Sequence, residues 1–175
     1  MNLAHRLIGW LDRLAEGVGG VLCWLCLLSM LVTCLLVAFR YLLPGGNIIF
    51  MQETVTYLHA TVFLLAAGWT LKRGGHVRVD LFYRRFGVRA RAWVDALGCL
   101  LFLLPVCALL FFSSLDFVAL SWSIRETSAD AGGVPLVYLL KTLIPVMSLL
   151  LAVQGLAELG KNALRLAGAG AGGVN

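Results

Sequence analysis

Residues 18–39 form an unbroken apolar stretch without a single Asp, Glu, Lys or Arg. In an α-helix, which rises about 1.5 Å per residue, such a stretch spans about 33 Å and crosses a hydrocarbon core of about 30 Å. The apolar region of a secretory signal peptide is much shorter, about 7–15 residues. The stretch therefore predicts an uncleaved transmembrane helix, and the chain is expected to fold in a lipid bilayer.

The overall composition extends this interpretation to the whole chain. Hydrophobic residues make up 61% of the sequence and charged residues 13%, whereas a soluble domain has about 25% charged residues. Together with the first stretch, apolar segments predict four spans, at about residues 18–39, 49–71, 94–115 and 134–157. We predict an all-α integral membrane protein with four transmembrane helices in a single domain over residues 1–165, followed by a flexible Gly/Ala tail at 166–175.

Two polar segments have an amphipathic pattern that predicts short interfacial helices. Residues 1–17 place Leu and Trp at helical spacing among Arg, Asp and Glu. This pattern is typical of a helix lying on the membrane surface or of an extension of the first membrane helix, and periodicity leaves both alternatives open. Residues 71–95 also carry an apolar helical face, so we expect a second short helix at the headgroup level.

The basic residues are distributed unevenly about the four spans. Half of the fourteen lie in the segment 71–95: Lys72, Arg73, Arg78, Arg84, Arg85, Arg89 and Arg91. The same side of the membrane holds Arg6, Arg13, Lys161 and Arg165, and the other side holds Arg40 and Arg125. Because Lys and Arg are enriched in cytoplasmic loops, both termini are predicted to be cytoplasmic. The seven basic residues of 72–91 are expected to contact anionic lipid headgroups.

Prolines mark irregular positions in the last two spans. Pro105 lies within the third span and is expected to kink it, because proline removes a helix hydrogen bond and its ring clashes with the preceding turn. Pro145 lies within the fourth span and predicts a bend or a local unwinding. Pro135 suits the first turn of that span. The segment from Asp116 to Gly133 is polar, and residues 121–133 within it are typical of a solvated loop.

The second span is the only one that carries a polar stripe. Gln52, Thr56 and His59 recur at i, i+4 and i+7 and share one helix face, with Glu53 beside them near the outer end. Polar and ionisable side chains in a membrane are costly and usually pair with each other or with a neighbouring helix. We expect all four to contact a partner subunit or other helices of the bundle.

Charged groups near the outer surface have local alternatives. Glu53 could instead form an ion pair with Arg40 or Arg125. Lys141, two turns into the fourth span, is expected to extend to the outer surface or to pair with an acidic residue. The segment 121–133 is rich in hydrogen-bonding groups, which suits docking of another protein. Together, the candidate contacts to partner proteins are Gln52, Glu53, Thr56, His59, Arg125, Glu126, Ser128 and Lys141.

The sequence offers no chemistry that predicts an enzyme. It contains no nucleophile–base pair, metal cluster, phosphate-binding loop or dinucleotide fingerprint, so no catalytic residue, metal or cofactor is predicted. Two other functions remain as alternatives. A haem or quinone anchor would need a second intramembrane histidine besides His59, and a small multidrug exporter would need a carboxylate deep in the first span, where there is none.

Several motifs together resemble a known family. They are Glu53-x3-Tyr57-Leu58-His59-Ala60, Gly75-His76-Val77-Arg78-Val79-Asp80, Trp122-Ser123-Ile124-Arg125-Glu126 and Pro135-x-x-Tyr138-Leu139-Leu140-Lys141. They are similar to the small, DctQ-like Q-type permease subunit of tripartite ATP-independent periplasmic (TRAP) transporters, and most similar to the subgroup labelled mannitol/chloroaromatic. The resemblance covers nearly the whole chain except its ends.

This resemblance implies a division of labour in the bacterial inner membrane. A periplasmic binding protein captures a substrate, an organic acid in related systems, and a large M-type permease subunit carries it inward using a sodium gradient. The small subunit packs beside the large one and supports it without carrying substrate itself. The implied partners are therefore the large permease subunit, the binding protein and membrane lipids, and nucleic acid is not among them.

Overall fold

The computed structural model describes residues 3–42, 48–76 and 86–171. Its helices are α1 at Leu3–Leu42, α2 at Ile49–Lys72, α3 at Val88–Gly98, a π-helical segment at Cys99–Leu103, α4 at Leu104–Ser123 and α5 at Val137–Ala171. The run from α3 through α4 is continuous, so the described residues form four helices long and apolar enough to cross a membrane. No strand occurs among them. The predicted all-α membrane fold is confirmed.

α5 is the central helix of the bundle. It packs against α1 and α2 on one side and against α3, the π-helical segment and α4 on the other. Its inward face carries the polar side chains Ser148, Gln154 and Asn162, which are at most 4% exposed. The other three membrane helices bury few residues and present large apolar side chains outward. Such outward apolar faces suit contact with lipid or with another membrane protein.

The N-terminal residues continue the first membrane helix. α1 runs without interruption from Leu3 to Leu42, so the described part of residues 1–17 is an extension of that helix and not a separate interfacial helix. Gly19 allows α1 to approach α2 closely, because a Cβ atom there would collide with the Trp69 indole. The second predicted interfacial helix falls largely on residues 77–85, which lie outside the described residues.

The π-helical segment ends two residues before Pro105. Its wider turn is closed by a bond from the Leu104 N–H to the Cys99 carbonyl, five residues back. π-bulges relieve the clash that a proline ring causes in a regular α-helix. The bulge packs on Gly155 of α5, where an added Cβ would lie 2.6 Å from Leu103 Cδ2. The irregularity near Pro105 is therefore a π-bulge that packs against Gly155 of α5.

Several helix ends differ from the predicted boundaries. α4 continues to Ser123, so Asp116, which is predicted to lie just past the third span, is within the helix. α5 begins at Val137, which places Pro135 before its first turn, and it passes Pro145 without unwinding. α5 also stays helical to Ala171, within the tail that we predict to be flexible. These ends lie in polar or glycine-containing sequence, where hydropathy does not mark a helix terminus.

Candidate functional site

The polar stripe of α2 lies on the surface of the bundle. The side chains of Gln52, Thr56 and His59 are all exposed, and Phe63, which is 72% exposed, continues the same face toward the other end of the helix. The Thr56 hydroxyl donates to the Gln52 carbonyl over 3.2 Å. Among the described residues, neither the Gln52 amide nor the His59 imidazole has a hydrogen-bond partner. We call these three residues the α2 stripe.

A cleft with a largely apolar lining and a few polar groups borders the α2 stripe on the side of α1. It is open, has a volume of about 300 Å³, and is lined by Cys26, Ser29, Met30, Thr33, Cys34, His59 and Val62. Both cysteines are free and exposed. In the described part of the chain, no group of three His, Cys, Asp or Glu side chains could hold a metal ion. The cleft thus offers hydrogen-bonding groups and soft apolar contacts at the depth of the membrane helices.

Glu53 ties the outer end of α2 to the loop at 124–136. Its carboxylate accepts hydrogen bonds from the Ser128 hydroxyl and, over 2.6 Å, from the Val134 N–H. Gly133 makes room for this contact, because an added Cβ would lie 2.5 Å from Ser128 Oγ and 2.6 Å from the Glu53 oxygens. Tyr57 supports it by donating to the Val134 carbonyl over 3.4 Å. We call Glu53, Ser128, Gly133 and Val134 the outer clasp.

The outer clasp decides between the alternatives for Glu53. Within the described residues, Glu53 forms no ion pair with Arg40 or Arg125; the partners of its carboxylate are a hydroxyl and a backbone N–H of the same chain. Arg125 is exposed and has a positive φ of 45°. It follows the end of α4, where the N–H of Glu126 bonds to the Ser121 carbonyl over 3.0 Å. This is the left-handed C-terminal cap that glycine usually occupies.

Lys141 pairs with Glu126, which is one of the alternatives left open by the sequence. Its ammonium lies 2.5 Å from the Glu126 carboxylate and 4.0 Å from the centre of the Phe117 ring. The Ser121 hydroxyl also donates to Glu126 over 2.7 Å. These hydrogen bonds, first from Lys141 and then from Ser121, lower the pKa of Glu126 below its usual value. The pair links the loop after α4 to the first turns of α5.

The lowered pKa of Glu126 predicts a pH-dependent contribution to stability. A depressed carboxyl pKa stabilises the folded state above the unfolded-state value of 4.5, and this stabilisation disappears as pH falls through the folded-state pKa. We expect wild type to unfold at a higher temperature than Glu126→Gln at pH 7, and the difference to shrink progressively below about pH 4.5. Thermal unfolding of both proteins at several pH values measures this. A difference that is constant with pH would contradict it.

A second polar network holds the opposite end of the bundle together. Lys72 donates to the Glu16 carboxylate over 2.9 Å and to the Asp12 carbonyl over 2.8 Å. Lys161 lies 2.9 Å from Asp12 and 2.8 Å from Glu158. We call this set, together with Gln154 and Arg73, the inner network. It joins α1, α2 and α5 through charges of opposite sign.

The inner network explains why the long N-terminal extension of α1 stays attached to the bundle. Gln154 is 1% exposed and donates to Asp12 over 3.2 Å and to Glu158 over 3.3 Å. The Trp69 indole donates to Glu16 over 3.4 Å, and Arg73 lies over the Trp69 ring while it also pairs with Glu16. This network was not predicted from the sequence. Asp12 and Glu16, two acidic residues at the end of the bundle where most basic residues are predicted to lie, were a signal for it.

The structure divides the predicted contact residues into two groups. Glu53, Glu126, Ser128 and Lys141 have partners within the chain, whereas the α2 stripe and Arg125 remain exposed. Of the basic residues assigned to lipid headgroups, Lys72 is only 17% exposed and Arg73 binds Glu16. Arg89 and Arg91 belong to α3, and Arg78, Arg84 and Arg85 lie outside the described residues. Headgroup contact by this set stays a prediction.

A family model described as "Tripartite ATP-independent periplasmic transporters, DctQ component" matches residues 29–165. The matched region includes all of α2, α3 and α4, together with the outer part of α1 and most of α5. It therefore contains the α2 stripe and the outer clasp. No curated protein and no solved structure matches the chain.

Proposed function

The chain belongs to the DctQ family of TRAP transporter components, and we propose that it supports the large permease subunit in the membrane and carries no substrate itself. The family is one of transport components, and this member is a multi-pass membrane protein. We further propose that it resides in a bacterial inner membrane. There it serves a sodium-driven transporter that imports an organic acid from a periplasmic binding protein. The motifs Glu53-x3-Tyr57-Leu58-His59-Ala60 and Gly75-His76-Val77-Arg78-Val79-Asp80 support this more detailed assignment.

The observation that carries the proposal is the exposure of the α2 stripe. Three hydrogen-bonding side chains, Gln52, Thr56 and His59, are exposed on one face of a helix that is long and apolar enough to cross a membrane. Polar groups in hydrocarbon gain stability from partners on neighbouring helices. The adjoining cleft adds the hydroxyls of Ser29 and Thr33 to the same surface. A helix of the large subunit is the partner we propose for this surface.

The distribution of charged groups supports an accessory role. Secondary transporters bind substrate and ions near the middle of the membrane, usually at broken helices. Among the described residues, the ion pairs of Glu126, Glu16 and Asp12 lie at the two ends of the bundle, beside the outer clasp or in the inner network. His59 stands apart from both sets. A single exposed histidine provides too few ligands to bind a substrate or an ion. It can form a hydrogen bond with a helix of the large subunit.

Replacing the α2 stripe with leucine is expected to release the large subunit while the small one stays folded. The variant Gln52→Leu/Thr56→Leu/His59→Leu removes polar groups from the lipid side, so the subunit itself loses no contact with another helix. Hydrogen bonds between membrane helices contribute about 0.6 kcal/mol on average and up to about 1.7. Loss of three contacts is therefore expected to weaken association by about 2 kcal/mol, or roughly 30-fold. Co-purification with the tagged large subunit measures this.

The matched control is Ser113→Leu. Ser113 is an exposed polar residue of α4 whose hydroxyl bonds only within its own helix, to the Leu109 and Leu110 carbonyls. This variant is expected to retain the partner. If it lost the partner and the triple variant kept it, the docking surface would lie on α4 and the proposal would be wrong.

Transport by reconstituted vesicles extends the same test. Vesicles with both subunits, supplied with the binding protein, are expected to accumulate an organic acid under an inward sodium gradient and not under a potassium gradient. Vesicles with the small subunit alone are expected to accumulate none. Uptake by the small subunit alone would overturn the accessory role, whereas uptake by the pair without sodium would overturn only the coupling ion.

A further inference from the structure

A second opening between α1 and α2 lies at the inner half of the bundle, away from the α2 stripe. It has a volume of about 400 Å³ and is lined by Arg13, Leu14, Gly17, Val18, Val21, Leu22, Leu25 and Leu65. Arg13 is the one polar side chain in this lining, and it stands at one end. From residue 13 to residue 25 the helix rises about 18 Å, close to half the thickness of a bilayer with its hydrocarbon core of about 30 Å. We call this opening the inner groove.

The end of the inner groove is positively charged. Arg6, Trp10, Arg13 and Gly17 recur at i, i+4, i+7 and i+11, so they form one exposed face of α1 that leads into the groove. Neither Arg6 nor Arg13 has an ion pair among the described residues. Trp10 is 60% exposed, and tryptophan is enriched at the boundary between membrane and water.

Arg6 and Arg13 differ from three other basic residues at this end of the bundle. Lys72, Arg73 and Lys161 all bind carboxylates of the inner network. Arg6 and Arg13 therefore remain available to an anion from outside the chain. A cation beside an apolar channel that runs one leaflet deep matches the two parts of a phospholipid, since its charged phosphate lies at the surface and its acyl chains extend into the hydrocarbon.

Gly17 lines the groove without a side chain. A Cβ atom added at this position would meet no atom within 4 Å, so the backbone of α1 is open to the groove there. Leu22, which is 5% exposed, and Leu65 of α2 provide apolar walls. This open, apolar groove has the length and lining that suit a hydrocarbon chain lying along α1.

We propose that the inner groove binds one acyl chain of an anionic phospholipid of the cytoplasmic leaflet, with the lipid phosphate at Arg13 and Arg6. The bound lipid fills the space that α1 and α2 leave between them and holds the N-terminal part of α1 at the membrane surface. This site is separate from the α2 stripe and does not depend on the proposed contact with the large subunit.

Native mass spectrometry of the purified full-length chain tests the proposal, with dioleoylphosphatidylglycerol and dioleoylphosphatidylcholine as probes. Wild type is expected to retain one phosphatidylglycerol and to prefer it over phosphatidylcholine. Arg13→Gln is expected to reduce that preference about fivefold, because one basic residue near an anionic surface contributes about that much. Gly17→Leu fills the groove and is expected to abolish retention of both lipids.

Two variants provide matched controls. Arg40→Gln removes the same charge at the opposite end of α1, and Gly20→Leu adds the same side chain at an exposed glycine that does not line the groove. Both are expected to bind lipid as wild type does. Equal binding of the two lipids by wild type, or an equal loss in Arg40→Gln and Arg13→Gln, would overturn the proposal. So would a Gly17→Leu protein that keeps its lipid and loses the large subunit, because the groove would then seat a protein helix.

Discussion

Replacing Glu53 with alanine is expected to release the loop at 124–136 and to lower the free energy of unfolding by about 3 kcal/mol. The Glu53 carboxylate accepts two hydrogen bonds, from the Ser128 hydroxyl and the Val134 N–H. A hydrogen bond to a charged group contributes about 1.5–3 kcal/mol, and a buried donor without an acceptor adds a desolvation cost. Thermal unfolding in detergent measures the loss. Faster trypsin cleavage after Arg125, within the loop, reports its release.

Two further variants separate the outer clasp from a general effect of charge. Asp116→Ala removes one exposed carboxylate from α4 and is expected to change stability by less than about 0.5 kcal/mol. Glu53→Gln keeps one acceptor oxygen and is expected to lie between alanine and wild type. A Glu53→Ala protein with the stability and trypsin resistance of wild type would show that the clasp does not secure the loop.

Replacing Gly68 with leucine is expected to force α2 away from α5 and to lower the free energy of unfolding by about 3 kcal/mol. Gly68 is buried, and an added Cβ would lie 3.1 Å from the Leu150 carbonyl oxygen and 3.4 Å from its carbon. These are backbone atoms, which cannot rotate away as the end of a side chain can. The remaining carbons of leucine therefore have to separate two helices. Thermal unfolding of the variant and wild type in the same detergent measures the effect.

Gly20→Leu is the matched control for this substitution. It makes the same change in α1 at a position where an added Cβ meets no atom within 4 Å. Leucine is a better helix former than glycine by about 1 kcal/mol, so this variant is expected to be as stable as wild type or slightly more so. Equal losses in both variants would mean that the close approach of α2 to α5 does not decide the effect.

The four membrane helices could be predicted from the sequence because lipid imposes a local requirement. A segment that crosses hydrocarbon must be apolar over its own length and satisfy its own backbone hydrogen bonds. No comparable local requirement fixes the residue at which a helix ends outside the hydrocarbon core. α1 begins at Leu3 and α4 ends at Ser123, well into polar sequence, because helices continue into the interface wherever neighbouring helices supply contacts. The extension of α1 depends on Lys72 and Lys161, which no local pattern connects to it.

The same distinction applies to the candidate site. The α2 stripe could be predicted because residues at i, i+4 and i+7 share a face in any helix. The partners of Glu53 could not, since Ser128 and Val134 lie 75 and 81 residues further along the chain. For Lys161 and Asp12 the separation is 149 residues. Hydropathy identifies which segments enter the membrane, but it does not tell which helices become neighbours.

The central position of α5 has a consequence for biosynthesis. A chain emerges from the ribosome from its N-terminus, so α1, α2 and the run from α3 to α4 are made before the helix against which all of them pack. Before α5 enters the membrane, Glu16 can already form its ion pair with Lys72. Asp12 cannot yet pair with Lys161, and the π-bulge cannot yet pack on Gly155, because both partners belong to α5. The earlier helices can form a hairpin of α1 and α2, yet the subunit acquires its final arrangement only at the end of translation. A ribosome that stalls before α5 would leave in the bilayer a set of helices without their common partner, a form that membrane quality control could recognise.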